Sequence, residues 1–227
     1  MEALLLVGGL GTRLALPNLP KALAPIQQIP FLKILLDQLT HWQVSKIVLA
    51  IGHRAQAIVD YVNSLHLPIE YSWETAPLGT GGALLNALSK IRAETFLVMN
   101  GDSFFDLPLA PFLELHRTHS AVATIACHHI EDISRYGSLE LEETGRIRCF
   151  QEKRGESKPG WINAGIYLMQ KKALEAFPLR SCSLEKDIFP TLIPQGVFAY
   201  RHSATFIDIG TPQSLQDAQN VLKSLVV

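Results

Sequence analysis

The chain has 227 residues, a formal net charge of -1, 48% hydrophobic residues and 18% charged residues. This composition supplies enough apolar side chains for a core and excludes a wholly disordered chain. The near-neutral charge gives no reason to expect nucleic acid or an anionic membrane as a partner, because both would require a basic surface.

The cysteines and the first residues of the chain indicate a cellular compartment. The three cysteines, Cys127, Cys149 and Cys182, are far apart and form no CxxC pair, which is typical of reduced thiols. The apolar run near residue 1 has no basic region before it and no cleavage site after it. Since no apolar stretch approaches the roughly 20 residues of a membrane span, we expect a soluble, cytoplasmic protein.

Short apolar runs and helical spacings alternate along the chain. Runs rich in Val, Ile and Leu predict strands buried on both faces of a sheet, at residues 3–7, 46–51, 69–72, 95–99, 122–127 and 165–169. Apolar residues at helical spacing predict helices between or after them, at residues 30–42, 54–65, 81–91 and 213–226.

Residues 136–152 depart from this alternation. They have a period of two around a turn at Thr144 and Gly145, which predicts a β-hairpin. No repeat or linker interrupts the chain. The sequence therefore predicts one α/β domain over residues 1–227, a three-layer α/β/α sandwich with a mostly parallel, Rossmann-like central sheet and a β-hairpin excursion.

A glycine-rich segment follows the first predicted strand and contains Gly8, Gly9 and Gly11. Ligands of open α/β sheets bind beyond the carboxyl ends of strands, where such a loop offers backbone N–H groups to phosphate oxygens. Arg13 and Lys21 would add two cations that neutralise a triphosphate. A tight turn with two solvated basic residues is the alternative.

Two better-known glycine motifs do not fit this segment. A dinucleotide fingerprint would need a third glycine at position 14, where the chain has Leu14, and the Gly-Lys-Ser/Thr of a P-loop is absent.

The pattern GGLGTRL at residues 8–14, followed by PKALAPI at residues 20–26, instead resembles the signature of the sugar-1-phosphate nucleotidyltransferase family. In that family the glycine loop wraps the nucleotide, and the arginine and lysine contact phosphates. The resemblance implies these roles for Arg13 and Lys21 as catalytic residues, and nucleotide binding by Val7, Gly8, Gly9, Gly11 and Thr12.

Two aspartates are candidate metal ligands. Asp102 follows the predicted strand 95–99 in an Asn-Gly-Asp turn, and Asp208 lies in the apolar run FIDIGTP. A carboxylate in an apolar run needs a partner, which a Mg²⁺ shared with Asp102 would supply; a capping role or a salt bridge to a buried lysine are the alternatives. The family resemblance of both segments implies that Asp102 and Asp208 are catalytic and hold Mg²⁺.

The segment PLGTGGA at residues 77–83 opens a predicted helix after a strand. Its glycines suit close approach of a ligand, although glycine for helix packing is the alternative. The family uses a similar segment for base and ribose, which implies nucleotide binding by Gly79, Thr80 and Gly81. Glu74, three residues before this segment, is a further hypothesis, because its carboxylate could accept hydrogen bonds from the N1 and N2 edge of guanine.

Downstream segments resemble the sugar-binding elements of the family in family order. The resemblance implies sugar-phosphate binding by Tyr136, Gly137, Glu152, Lys153 and Asn163. Residues 183–187 resemble the segment that precedes the last substrate strand and are expected to be supportive. The eight histidines show no metal-ligand spacing, so we expect them on the surface.

These resemblances imply a reaction. A sugar 1-phosphate oxygen attacks the α-phosphorus of a nucleoside triphosphate in line, and pyrophosphate leaves. Within the family, the chain most resembles the D-glycero-D-manno-heptose 1-phosphate guanylyltransferase branch, which implies GTP and that heptose phosphate as substrates.

Other sugar 1-phosphates (mannose, glucose or N-acetylmuramate, with GTP, UTP or dTTP) remain alternatives, as does a silent nucleotide-sugar-binding module. We expect residues 1–115 to bind mainly the nucleotide and residues 116–227 mainly the sugar phosphate, in a monomer or a homodimer.

Overall fold

The computed structural model describes residues 1–9, 11, 14, 19–134, 136–151 and 157–223. The β-strands, in chain order, are β1 Glu2–Leu6, β2 Pro25–Ile26, β3 Ile29–Pro30, β4 Lys46–Ile51, β5 Ile69–Trp73, β6 Thr95–Asn100, β7 Ser103–Phe105, β8 Ala123–Ile130, β9 Ser138–Leu141, β10 Ile147–Gln151, β11 Gly160–Gln170, β12 Val197–His202 and β13 Phe206–Asp208. The α-helices are α1 Phe31–His41, α2 Ala55–Asn63, α3 Gly79–Ala87, α4 Leu109–Thr118, α5 Lys171–Leu174, α6 Phe189–Gly196 and α7 Pro212–Val221.

Nine of these strands form one sheet in the described part of the chain. Its first half is the parallel run β5-β4-β1-β6, built by strands that alternate with helices. Strand β11 then pairs antiparallel with β6 and carries the rest of the sheet, with β9 and β10 on one side and β8 and β12 on the other. The predicted α/β architecture with its central parallel sheet is confirmed.

Helices cover both faces of the sheet, which gives the three layers. Neighbouring residues of β1 point to opposite cores: Ala3 and Leu5 pack in one cluster with α1, α2, α4 and α7, and Leu4 packs in the other with α3 and α6. All three side chains are fully buried. This is the near-continuous apolar pattern of a strand covered on both sides.

The predicted hairpin is confirmed as β9 and β10, which pair antiparallel. Gly145 has φ +84° in the turn, and its N–H donates to the carbonyl of Glu142. Glycine readily adopts this left-handed backbone conformation. The conformation closes a short hairpin with the twist that the strands require.

Several elements lie outside the predicted set, most clearly α4, α6 and β12. Helix α6 carries Pro190 near its start and Pro194 inside it, and it is preceded by a π-helical turn, Leu184–Ile188. Because prolines inside a segment argue against a helix, the sequence does not predict α6, and its formation depends on tertiary packing. Strand β12 is half-exposed and lacks a buried run.

Strand β11 begins five residues before the predicted boundary and contains a bulge between Asn163 and Tyr167. Gly165 lies in this bulge with φ +79°, and a Cβ built there would lie 2.6 Å from Ser103 Oγ. The bulge therefore brings the backbone of β11 against the turn that follows β6.

We predict that Gly165→Ala is more destabilising than Gly145→Ala. Both glycines have similar positive φ values, so each substitution costs about 1 kcal/mol or more in backbone strain. A Cβ at Gly145 would meet nothing closer than Ala199 O at 3.5 Å, whereas Gly165→Ala adds roughly 1–3 kcal/mol of overpacking against Ser103 and Asn100. Urea unfolding of both variants measures the difference, and equal losses would contradict the close packing of the bulge.

Candidate active site

A cavity of about 400 Å³ opens at the carboxyl ends of the parallel strands. Its walls come from the segments that follow β1, β5 and β6, together with the start of α3 and the residues around Lys21 and Gly210. The position is the one at which open α/β sheets bind ligands. Many of the predicted site residues meet here: Val7, Gly8, Gly9, Gly11, Lys21, Glu74, Gly79, Thr80 and Asp102.

The glycine loop gives the cavity its backbone wall. A Cβ at Gly8 would lie 2.6 Å from Glu74 Oε1 and 3.1 Å from the backbone N of Gly52. Gly9, in contrast, has nothing within 4 Å of its Cβ position and is exposed. A larger residue at position 8 would therefore clash with the neighbouring strand ends, whereas Gly9 borders open space beside the cavity.

Glu74 is half-buried at the end of β5 and faces this loop. Its Oε2 accepts a hydrogen bond from the N–H of Leu78 at 3.1 Å. Burial raises the pKa of the Glu74 carboxyl above its ordinary value, and the Leu78 N–H partly opposes that rise. A carboxylate held in a partly desolvated cavity binds strongly to a donor that replaces its lost water.

The Asn-Gly-Asp turn after β6 brings Asp102 to the cavity. Gly101 fits because a Cβ would lie 2.6 Å from Leu6 O and 2.5 Å from Val7 Cγ1, and its N–H donates to Leu6 O at 3.0 Å. Lys21 Nζ lies 2.6 Å from Asp102 Oδ2, with the Lys21 side chain 14% exposed and that of Asp102 44% exposed. The two residues form a cation and carboxylate pair at the cavity wall.

Asp208 lies next to Asp102 through backbone pairing. Strand β13 pairs antiparallel with β7, with Asp208 opposite Ser103, and Ile209 N–H donates to Asp102 O at 2.8 Å. A Cβ at Gly210 would lie 2.6 Å from Asp208 Oδ1 and 3.7 Å from Lys21 Nζ. The fold thus brings together the two aspartates that the sequence separates.

Neutral donors hold the Asp208 carboxylate in place. Tyr136 donates from its hydroxyl to Oδ2 at 2.7 Å, and Gly210 N–H donates to Oδ1 at 2.8 Å. Ser214 Oγ, part of the capping box at the start of α7, lies 3.4 Å from Oδ1. The partner that this carboxylate requires is therefore present, and a hydroxyl rather than a lysine occupies Oδ2.

Two hard carboxylate oxygen donors at one end of the sheet match the ligand preference of Mg²⁺. On Asp208, Oδ2 accepts from Tyr136 with one of its two lone pairs, and Asp102 lines the cavity. The residues present fit a magnesium ion, which Asp102 and Asp208 would hold.

The start of α3 is packed against another segment. The N–H groups of Gly81 and Gly82 both donate to Cys182 O, at 2.9 and 3.2 Å, and a Cβ at Gly81 would lie 2.8 Å from Cys182 Sγ. Gly79 and Thr80 line the cavity, whereas Gly81 does not. Within this loop, Gly81 thus meets a packing requirement.

Residues 183–187 support this loop as expected. Leu184 N–H donates to Thr80 Oγ1 at 2.9 Å, and Thr80 Oγ1 donates to Glu185 Oε2 at 3.3 Å. Ser183 caps the following π-helical turn by accepting from the N–H groups of Glu185 and Lys186.

Of the predicted sugar-phosphate residues, the structure describes Tyr136, Gly137 and Asn163, which lie in or next to the antiparallel half of the sheet. Gly137 precedes β9, and a Cβ there would lie 3.5 Å from Gln151 O. Asn163 donates from Nδ2 to the hydroxyl of Tyr167 at 2.8 Å and accepts from Gly165 N–H at 2.9 Å. Thr12, Arg13, Glu152 and Lys153 lie outside the described residues.

Several residues of this region were not among the predicted ones, including Asn100, Gly210 and Tyr167. Asn100 and Gly210 line the cavity, and each adjoins a predicted aspartate segment, which is the signal that could have found them. Tyr167 is fully buried, and burial raises the pKa of its hydroxyl well above the ordinary value. It bonds Asn163 and Asn100, but in sequence it looks like one more core aromatic.

The expectation of surface histidines is wrong for His116. Its side chain is buried, with Nδ1 2.8 Å from Thr124 Oγ1, and burial lowers its pKa to about 4. Helix α4 packs against β8 and β12, and His116 is on the packed face. In the described residues, no group of three or more His, Cys, Asp or Glu side chains is placed to hold a metal.

None of the helices in the described ranges has the length and hydropathy that crossing a bilayer requires.

Comparison with known proteins places this fold and cavity in a family. A D-glycero-alpha-D-manno-heptose 1-phosphate guanylyltransferase from Aneurinibacillus thermoaerophilus is 34% identical, with both chains covered completely. Mannose-1-phosphate guanylyltransferase 1 from Arabidopsis thaliana is 37% identical over 94% of this chain, which spans only 62% of that longer relative.

A solved structure agrees with these relatives. HddC from Yersinia pseudotuberculosis, complexed with GMP-PN, superposes with a TM-score of 0.86 at 34% identity and covers 96% of this chain and 98% of its own. The nucleotidyl transferase family matches residues 2–224. The chain therefore belongs to the nucleotidyl transferase family.

Proposed function

We propose that the protein transfers a guanylyl group from GTP to D-glycero-D-manno-heptose 1-phosphate, with release of pyrophosphate and with Mg²⁺ as cofactor. The observation that carries this proposal is the meeting of Asp102, Asp208 and Lys21 beside a glycine-walled cavity. The full-length similarity to heptose 1-phosphate guanylyltransferases supports the choice of substrates. The protein would act in the cytoplasm as a monomer or a homodimer.

The chemistry requires positioning and charge neutralisation more than proton transfer. The attacking oxygen of a sugar 1-phosphate is already ionised at neutral pH, so no general base is needed. Asp102 and Asp208 would hold Mg²⁺, which would supply positive charge for the substrate phosphates. Arg13 and Lys21 would offset the charge on the transferred group and the leaving pyrophosphate, and Lys153 would anchor the sugar phosphate.

The two halves of the chain would divide the substrates. Residues 1–115 supply the glycine loop, Glu74 and the start of α3 for the nucleotide, and residues 116–227 would bind the sugar phosphate. Gly210 comes from the second half and lines the cavity, and its N–H donates to Asp208 Oδ1 at 2.8 Å. This contact brings Asp208, a proposed metal ligand, beside the cavity.

Mannose 1-phosphate is the second candidate acceptor. Mannose-1-phosphate guanylyltransferases are as similar in sequence as the heptose enzymes, at 32–37% identity, although this chain spans only 62% of their length. The two acceptors share the anomeric phosphate and differ at the end of the sugar, so the distinction rests on the sugar-binding residues of the second half.

The proposal is tested by incubating the protein with Mg²⁺, each of GTP, ATP, UTP, CTP and dTTP, and heptose, mannose, glucose or N-acetylmuramate 1-phosphate. Released pyrophosphate is measured. We expect turnover with GTP and the heptose phosphate at a kcat/KM at least about tenfold above any other pair, a discrimination that one or two lost hydrogen bonds can supply. Turnover with mannose 1-phosphate alone would identify mannose 1-phosphate as the acceptor. No pyrophosphate release with any pair would support a binding module without catalytic activity.

We predict different kinetic effects for Asp208→Asn and Tyr136→Phe. Asp208→Asn should lower kcat roughly 10²-fold or more, because it removes a charged metal ligand. Tyr136→Phe removes the hydroxyl that donates to Asp208 Oδ2 and should raise the Mg²⁺ concentration for half-maximal rate about tenfold, as loss of an outer-shell partner does. A rise in the KM for the sugar phosphate without a change in Mg²⁺ dependence would instead assign Tyr136 to the sugar.

We predict that Glu74→Gln weakens discrimination for guanine. A carboxylate accepts from both N1–H and N2–H of guanine, whereas the glutamine side chain has one acceptor oxygen and presents an NH₂ group to the second donor. The KM for GTP should rise about tenfold or more, while activity with ATP stays at its low level. An unchanged preference for GTP over ATP would remove Glu74 from base recognition.

The unfolding free energy of Glu74→Gln provides the control for correct folding. Burial raises the pKa of Glu74 in the folded protein, so the folded state binds this proton more tightly than the unfolded state. Stability of the wild type therefore falls as pH rises from the unfolded value of about 4.3 through the raised folded value. Relative to the wild type, the glutamine variant should gain stability between pH 4 and pH 7.

A further inference from the structure

Lys21 pairs with one carboxylate oxygen of Asp102, a proposed metal ligand. Its Nζ lies 2.6 Å from Asp102 Oδ2, at the short limit of a charge-assisted hydrogen bond. The Lys21 side chain is only 14% exposed. The surrounding residues therefore hold the ammonium group against this carboxylate, whereas the side chain of an exposed lysine samples many rotamers.

The surroundings of Lys21 explain why its side chain is confined. Lys21 begins a single 3₁₀ turn, Lys21–Leu23, whose next two side chains are buried. A Cβ at Gly11 would lie 3.1 Å from Lys21 Cβ, and one at Gly210 would lie 3.7 Å from Lys21 Nζ. Two glycines thus leave the space through which this side chain runs to Asp102.

The second aspartate has a different environment. Asp208 is held by the Tyr136 hydroxyl and the Gly210 N–H, which are neutral donors that fix the carboxylate and leave its charge in place. The two predicted metal ligands therefore differ in their partners: among the described residues, Asp208 bonds to neutral donors, whereas Asp102 is paired with an ammonium group.

We propose that Lys21 is a latch on Asp102 that suppresses binding of a divalent cation until a triphosphate draws the ammonium away. This inference rests on the proposed function, because the triphosphate is the alternative partner of Lys21. The exchange breaks the ion pair between Lys21 and Asp102, forms an ion pair between Lys21 and a phosphate oxygen, and leaves both lone pairs of Asp102 Oδ2 to the cation. No proton is transferred.

Electrostatics favour this order of events. A divalent cation and the Lys21 ammonium on the same carboxylate would repel each other at short range, where Coulomb interactions are strong. A bare cation offers the ammonium no new partner. A triphosphate offers several oxygens in the same cavity, so the nucleotide and the cation together satisfy Lys21, Asp102 and Asp208.

The consequence is coupling between two ligands at one site. A cation that enters alone must displace Lys21 without compensation, so its affinity is reduced. The nucleotide removes that cost, which is positive cooperativity in the thermodynamic sense. The latch would keep the empty site from holding a cation that has no phosphate to act on.

The experiment titrates the full-length protein with Mn²⁺ alone, in the absence of nucleotide, and measures bound metal by electron paramagnetic resonance. We expect Lys21→Met to bind Mn²⁺ about tenfold or more tightly than the wild type. Lys21→Gln is a second variant that keeps a polar stem, and it should show a gain in the same direction. Circular dichroism and thermal unfolding verify that each variant is folded.

Two matched variants define the control. Lys33 forms an equally short pair with Asp37, 2.6 Å apart, on the exposed face of α1, so Lys33→Met removes a lysine and a salt bridge away from the cavity and should leave Mn²⁺ binding unchanged. The double variant Lys21→Met with Asp102→Asn should lose the gain, because the exposed carboxylate is no longer present.

The outcomes separate the latch from the proposed function. Equal Mn²⁺ affinity of the wild type and both folded Lys21 variants overturns the latch, and so does a gain that persists in the double variant. Pyrophosphate release by the wild type is measured separately and reports only on guanylyl transfer. A gain in Mn²⁺ affinity without any pyrophosphate release from the wild type would retain the latch and reject the reaction.

Discussion

The contact between the turn after β6 and strand β13 is the interaction on which the site depends. Ile209 N–H donates to Asp102 O at 2.8 Å, and β13 pairs with β7 immediately beyond. This short backbone ladder joins the end of the parallel sheet to the chain segment before α7. Without it, Asp102 and Asp208 would belong to separate surfaces, because more than a hundred residues lie between them.

Three glycines allow the close backbone packing around this contact. Gly101 lets the Asp102 turn lie against the end of β1, Gly165 lets the β11 bulge lie against the same turn, and Gly210 keeps the space between Asp208 and Lys21 free of a side chain. In each case a Cβ would come within 2.6 Å of a neighbouring atom, a distance that core packing cannot absorb without shifts. The geometry of the charged groups is therefore set by the backbone.

The sequence predicts the parallel half of the fold well because its signals are strong there. Buried parallel strands are continuous apolar runs, and the predicted strand 46–51 has the bounds of β4. Glycine-rich segments at the ends of two such strands also indicated the cavity. In the second half, β12 is half-exposed, β11 contains a bulge and α6 contains two prolines, so local patterns compete there with tertiary packing and lose their predictive value.

The site shows the same division. Residues next to a strand end, such as Gly8 and Asp102, could be assigned from motifs, because the end of a parallel strand has a defined position in the fold. The partners of those residues could not. Nothing in sequence says that Tyr136 reaches Asp208, or that Cys182 takes the N–H groups of Gly81 and Gly82, since these contacts join segments that are distant along the chain.

The two aspartates that we propose as metal ligands have different environments. Asp208 accepts from a hydroxyl and a backbone N–H, which orient it and add no charge. Asp102 is paired with an ammonium group. A site with two neutral environments would concentrate negative charge and disfavour an approaching triphosphate; one cation at Asp102 reduces that repulsion until the substrate brings its own counter-ion.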